Sequence, residues 1–105
     1  MGDLQPLVIN LNSGDKLNES YLSMLGGAIE LMLQGMFGGI TPPIRVQGTP
    51  SQVAAFGDAL SKEKQYIDAF SKYGLGDPRS FSSRHDLEAA IAGFESETGL
   101  KWPFK

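Results

Sequence analysis

The segment from Leu22 to Phe37 constrains this chain more than any other, because it reads as a helix with apolar side chains on nearly every side. Leu22, Leu25, Ile29, Met32, Leu33 and Met36 recur at helical spacing as one stripe. Tyr21, Met24, Ala28, Leu31 and Phe37 widen that stripe well beyond the roughly 100° face of an ordinary surface helix. Only Ser23, Gly27, Glu30 and Gln34 remain to face water. A chain of 105 residues has limited material with which to wrap such a helix, so a partner subunit is expected to finish the job. The candidate interface residues are therefore Tyr21, Met24, Ala28, Leu31, Met32, Met36 and Phe37. Trp102 and Phe104 join them, because two large aromatics so near a terminus should be docked on something. The methionines suit an adaptable binding surface and a plain core equally well.

Turn and cap chemistry divides the rest of the chain. Leu7 to Leu11 is apolar and β-branched and follows Pro6, which predicts a short strand or extended arm. The first helix should start near Asn18 or Asp15, both acceptable N-caps, and stop at Gly38-Gly39. Ile40-Thr41-Pro42-Pro43 can be neither helix nor central strand, since two prolines remove donors and fix φ. Ile44 to Gln47 alternates with period two and could pair with Leu7–Leu11.

Thr49, Pro50 and Gln52 form a capping box with proline at the first helical position. The second helix should bury Val53, Phe56, Leu60, Ile67 and Phe70, whereas Lys62 to Lys64 looks polar all round and should be exposed or bent. Gly74 and Leu75 predict a Schellman C-cap, and Gly99 and Leu100 repeat it. Ser83 with Asp86 three residues later predicts the start of a third helix carrying Leu87, Ile91 and Phe94 inward. The fold class is mainly α (α+β), with three helices near 18–38, 49–73 and 83–98, an extended N-terminal segment and room for one short strand pair. In domain terms, 1–39 is an arm and apolar helix, 40–48 a Pro/Gly linker or short strand, and 49–105 a capped helical hairpin with an aromatic tail.

Several functional classes find no support in these residues. Net charge is −3, spread along the chain, so no basic footprint for nucleic acid or an anionic membrane exists. There is no cysteine to form a disulfide or a thiolate site. Met1 to Gln5 has no basic n-region, so secretion through a signal peptide is not expected and the protein is expected in the cytoplasm or a virion. The apolar helix falls short of the ~20 residues a bilayer requires, with Glu30 and Gln34 in its C-terminal half. His85 and Asp86 are helical neighbours about 100° apart and pair poorly as base and orienter. A small enzyme built on Arg79, Arg84 and His85 would lack paired acids and bases, so no catalytic, metal or cofactor residues are expected. The glycines lack the strand-Gly-helix order and the Gly-Lys-Ser/Thr of a phosphate loop, and close packing at Gly26, Gly27 and Gly35 is their expected use. Arg79, Ser82, Ser83 and Arg84 could hold an anion ahead of a helix N-terminus. The competing reading makes Ser83 the helix cap and leaves both arginines solvated or paired with Asp77 and Glu88.

Gly48-Thr49-Pro50, Tyr73-Gly74-Leu75-Gly76-Asp77-Pro78-Arg79 and Phe94 to Phe104 together resemble small uncharacterised proteins of tailed bacteriophages. The resemblance covers about half the chain and implies a small virion or assembly component. It carries no functional residues with it. The expected function is accordingly a structural or assembly subunit, an adaptor, connector or decoration protein, whose partners are protein subunits. The alternative is a small regulatory or inhibitory protein that binds a host target through the methionine-rich helix.

Overall fold

In a computed structural model, residues 7–12, 18–40 and 43–104 are described. The fold is mainly helical with one short sheet. Its elements run β1 (Leu7–Asn10), α1 (Glu19–Met36), β2 (Ile44–Gln47), α2 (Pro50–Tyr73) and α3 (Pro78–Thr98). β1 and β2 pair in parallel with Leu7 opposite Ile44 and Ile9 opposite Val46. A parallel pair cannot be joined by a tight turn and needs a crossover, which α1 supplies as the middle of a β-α-β unit. The register puts Leu7, Ile9, Ile44 and Val46 on one face, against the core, and leaves Val8 exposed on the other.

α2 and α3 form an antiparallel hairpin. Phe56 near the start of α2 meets Phe94 near the end of α3, and the Ser80 hydroxyl at the start of α3 donates to the Ala69 carbonyl near the end of α2 at 3.3 Å. A single buried cluster joins Ile9, Leu11, Leu25 and Ile29 to Phe56, Phe94, Leu100 and Trp102. The N-terminal unit and the hairpin thus share one core.

The caps explain where the helices begin. Asn18 Oδ1 accepts from the amides of Ser20 and Tyr21, and Thr49 and Gln52 exchange both bonds of the capping box. The third helix starts at Pro78, five residues ahead of the expected Ser83, with Asp77 as its cap. Asp77 Oδ1 accepts from the Arg79 amide at 2.8 Å, and proline at the first helical position has its φ already set. That pair outcompetes Ser83, which lies inside the helix.

The two glycine C-caps also differ. Gly99 is left-handed (φ 75°, ψ 0°) and buries Leu100 completely, as a Schellman-type ending should. Gly74 has φ 82° but ψ 172°, and Leu75 is exposed. The chain there must restart a helix within four residues, so Gly74 opens the turn outward rather than folding Leu75 back.

After Gly99 the tail recrosses the hairpin and reaches α1, where Pro103 lies against Gly26. A Cβ on Gly26 would stand 3.3 Å from Pro103 Cβ, whereas one on Gly27 would meet nothing within 4 Å. Gly27→Ala should therefore raise stability by ~0.5–1 kcal/mol through helix propensity alone. In Gly26→Ala the crowding against Pro103 offsets that gain, so urea denaturation should separate the two variants. Equal gains at both positions would show that the tail does not rest on α1.

Candidate protein-interaction surface

The residues expected to make an interface divide into three groups. Ala28 and Trp102 are buried inside the chain's own core and are not available to a partner. Ala28 lies between α1 and the rest because the helix turns its Leu25-Ala28-Ile29-Leu33 face inward, rotated from the stripe that would have buried Met36. Tyr21, Met24, Leu31 and Met32 are half-buried. The Tyr21 hydroxyl donates to the Asn10 carbonyl, tying the start of α1 to the end of β1. Met36 (40% exposed), Phe37 (47%) and Phe104 (40%) remain at the surface, beside Ile40 at 96%.

Three of these exposed residues fall within five positions at the C-terminal end of α1. Phe37 caps the helix, and Gly38 at φ 95° turns the chain away. Gly39 donates its amide to the Gln34 carbonyl at 2.7 Å, and a Cβ there would stand 2.8 Å from that oxygen. That close approach requires glycine at position 39, and Met36, Phe37 and Ile40 are left exposed. Lys64 of α2 lies 5.0 Å from the Phe37 ring centroid and pairs with Asp68 at 2.9 Å, fixing the ring's inner face.

A groove runs along each side of this helix end. One, of about 760 Å³, lies between Met32 and Met36 and reaches Ile44 and Leu60. The other, of about 640 Å³, is lined by Leu33, Phe37, Ile67 and Phe104, with Glu30 and Glu63 as its charged groups.

Glu63 is the residue that sequence reasoning missed. Placed in a run that looks polar all round, it is 5% exposed, and its Oε1 accepts from Trp102 Nε1 at 2.8 Å. The indole is packed edge-on against Phe94, with ring centroids 5.3 Å apart, and tilted against Phe56 at 6.2 Å. A tryptophan buried this far needs an acceptor for its N–H, and Glu63, two turns on from Phe56 on the same buried face of α2, supplies it. Burial pushes the Glu63 carboxyl above the usual range, and the indole N–H draws it partly back.

The Arg79 to Arg84 segment is helical rather than a loop. Arg79 places Nε and Nη2 on the Asp77 carboxylate at 2.9 and 3.0 Å and stacks on the Tyr73 ring at 3.5 Å. That guanidinium holds the Asp77 carboxyl down at about 2. An anion at Arg79 would have to displace an internal carboxylate. Ser82 is exposed and Ser83 half-buried on the first turns of α3, and Arg84 lines a smaller cavity of about 300 Å³ with Tyr66, Glu88 and Glu63. Arg79 and Arg84 therefore serve different places.

Among the described residues, no three His, Cys, Asp or Glu side chains come together as metal ligands. No described helix is long and apolar enough to cross a membrane. No protein-family model matches the chain, and neither a curated protein nor a solved structure shows significant similarity to it.

Because the folded-state pKa of Glu63 is raised, its contribution to stability is fully present below the ordinary glutamate value and is lost as pH rises through the folded value. Glu63→Gln keeps an acceptor for the indole without burying a charge. At pH 7 it should melt at or above the wild-type temperature, with the difference closing on acidification. Glu63→Leu strands the indole N–H and should cost ~1–3 kcal/mol by urea denaturation. A Glu63→Leu protein as stable as wild type would show that the bond contributes nothing.

Proposed function

We propose that this chain is a non-enzymatic structural or assembly subunit of a larger complex and meets its neighbour through the C-terminal end of α1. The observation that supports this reading is the cluster of Met36, Phe37 and Ile40, exposed together and flanked by two grooves with apolar walls. Single exposed apolar residues are ordinary on a protein surface, but a contiguous patch at a helix end with methionine and phenylalanine at its centre has the composition of an interface core. The resemblance of the C-terminal half to small tailed-bacteriophage proteins supports placing the complex in a virion. Its partners are then protein subunits, copies of itself or other components.

The half-buried Met24 and Leu31 belong partly to the fold, so Met36 and Ile40 are the cleaner probes of this surface. Met36→Glu and Ile40→Glu should leave the thermal melt within the ~0.5 kcal/mol expected of a surface change. Both should abolish concentration-dependent association in sedimentation velocity. Association that persists in both variants, or a wild type that sediments as a monomer at every concentration, would count against self-assembly through this surface.

A further inference from the structure

The 640 Å³ groove beside Phe37 has a chemistry that neither the apolar patch nor the fold uses. Its walls are hydrocarbon and aromatic, from Leu33, Phe37, Ile67 and Phe104, and its charged groups are Glu30 and Glu63 alone. Glu63 is held at the boundary of this groove and the smaller one on its other side. Its Oε1 is committed to the Trp102 indole. Its Oε2 has no hydrogen bond to a described residue, and among the described residues no fully buried side-chain oxygen lacks a partner, so Oε2 keeps some accessible surface in the cavities that Glu63 lines. Glu30 at the rim makes no ion pair with a described residue.

Neither nearby cation is ion-paired with Glu63. Lys64 is bonded to Asp68 and covers the inner face of Phe37. Arg84 lies in the smaller cavity, with Glu88 and Tyr66, and makes no ion pair with Glu63. An apolar trough lined by one largely buried glutamate and one exposed glutamate is complementary to a hydrocarbon stem that ends in a positive charge. We propose that the groove takes the side chain of a lysine or arginine presented by a protein partner, stem against Leu33, Ile67 and Phe104 and cation on Glu63 Oε2 and Glu30. A protein source fits the exposed apolar residues at the same helix end, Met36 and Ile40, which a small free amine would leave uncovered. The proposal rests on the reading of the α1 end as an interface, and adds to it what the partner must carry.

Burial raises the Glu63 pKa, and an incoming cation would oppose that by favouring the ionised carboxylate.

Trp102 is the single tryptophan of the chain, so its indole N–H gives one NMR resonance bonded directly to Glu63. The full-length protein would be titrated with n-hexylammonium, with 1-hexanol, and with the blocked tripeptides acetyl-Leu-Arg-Leu-amide and acetyl-Leu-Gln-Leu-amide. The expected result is a saturable shift of the indole resonance with hexylammonium and with the arginine peptide. Hexanol and the glutamine peptide should bind at least about tenfold more weakly, the scale of one charged hydrogen bond. Glu63→Gln, which keeps the indole bond, should lose the same factor for both cations. Were that variant to unfold, Glu30→Gln, at an exposed position, should still weaken both cations. Equal binding of hexanol and hexylammonium, full affinity in the glutamate variants, or no saturable shift with either cation would overturn the proposal. Binding of the amine with exclusion of the arginine peptide would overturn the assignment to a partner's side chain. Sedimentation of the Met36 and Ile40 variants reads the interface separately, so either idea can fail with the other intact.

Discussion

The hydrogen bond from the Trp102 indole to Glu63 holds the C-terminal tail inside the molecule, where Pro103 meets Gly26 of α1. Trp102 completes an aromatic triad with Phe56 and Phe94 that fills the open end of the hairpin. The local chain is prepared for this. Thr98 donates its hydroxyl to the Phe94 carbonyl and accepts from the Leu100 amide, left-handed Gly99 reverses the direction, and Glu95 Oε2 accepts the Trp102 amide at 2.9 Å. Once the indole is seated, Pro103 falls on Gly26 and Phe104 falls at the walls of both cavities that flank Glu63. One buried acceptor therefore couples the hairpin to α1.

The small sheet is held by the same economy of parts. Two four-residue strands are marginal in isolation, and a parallel pair more so. Here the bonds from the Leu7 amide to the Pro43 carbonyl and from the Leu11 amide to the Gln47 carbonyl extend the ladder at both ends. Ile9 and Leu11 are fully buried against the core, and the Tyr21 hydroxyl fixes the crossover helix to the end of β1. The sheet is stable as the floor of α1, and α1 has its direction because the sheet is parallel.

What could be read from the sequence was what local chemistry decides. Asn18, the Thr49-Pro50-Gln52 box and Gly99-Leu100 act as their residue types require, since each satisfies backbone groups within its own turn. Periodicity was less informative where a distant residue decides burial. Val53 and Phe70 look like core positions on α2 yet are exposed, while Gln52, Phe56, Ala59 and Glu63 face inward. Glu63 is inside because a residue 39 positions later brings an N–H that must be paired, and no local pattern records that. The start of α3 was missed for the opposite reason. Two competing caps stood close together, and Asp77 followed by proline prevailed over Ser83. Of the expected interface residues, Met36 and Phe37 are exposed at the end of α1, whereas the sequence pattern could not tell that Ala28 and Trp102 would be consumed by the chain's own core.

The uneven coverage of the molecule follows from where its rigid parts lie. The α2–α3 hairpin closes on itself through the aromatic triad and the Ser80–Ala69 bond, so it can serve as a fixed base. The last turn of α1 lies against that base through Lys64 over Phe37 and through the buried Leu33, and then ends at Gly38 and Gly39. Segments with few buried contacts have low local opening free energies, and binding surfaces are commonly drawn from them. A partner seated on Phe37 and Ile40 would bury apolar surface that the end of α1 leaves exposed. It would also close the mouth of the groove over Glu63 and remove water from that carboxylate. The same contact that completes the core of α1 would thereby raise the cost of leaving Glu63 Oε2 unpaired, which makes the identity of the residue entering the groove a matter of electrostatics as well as shape.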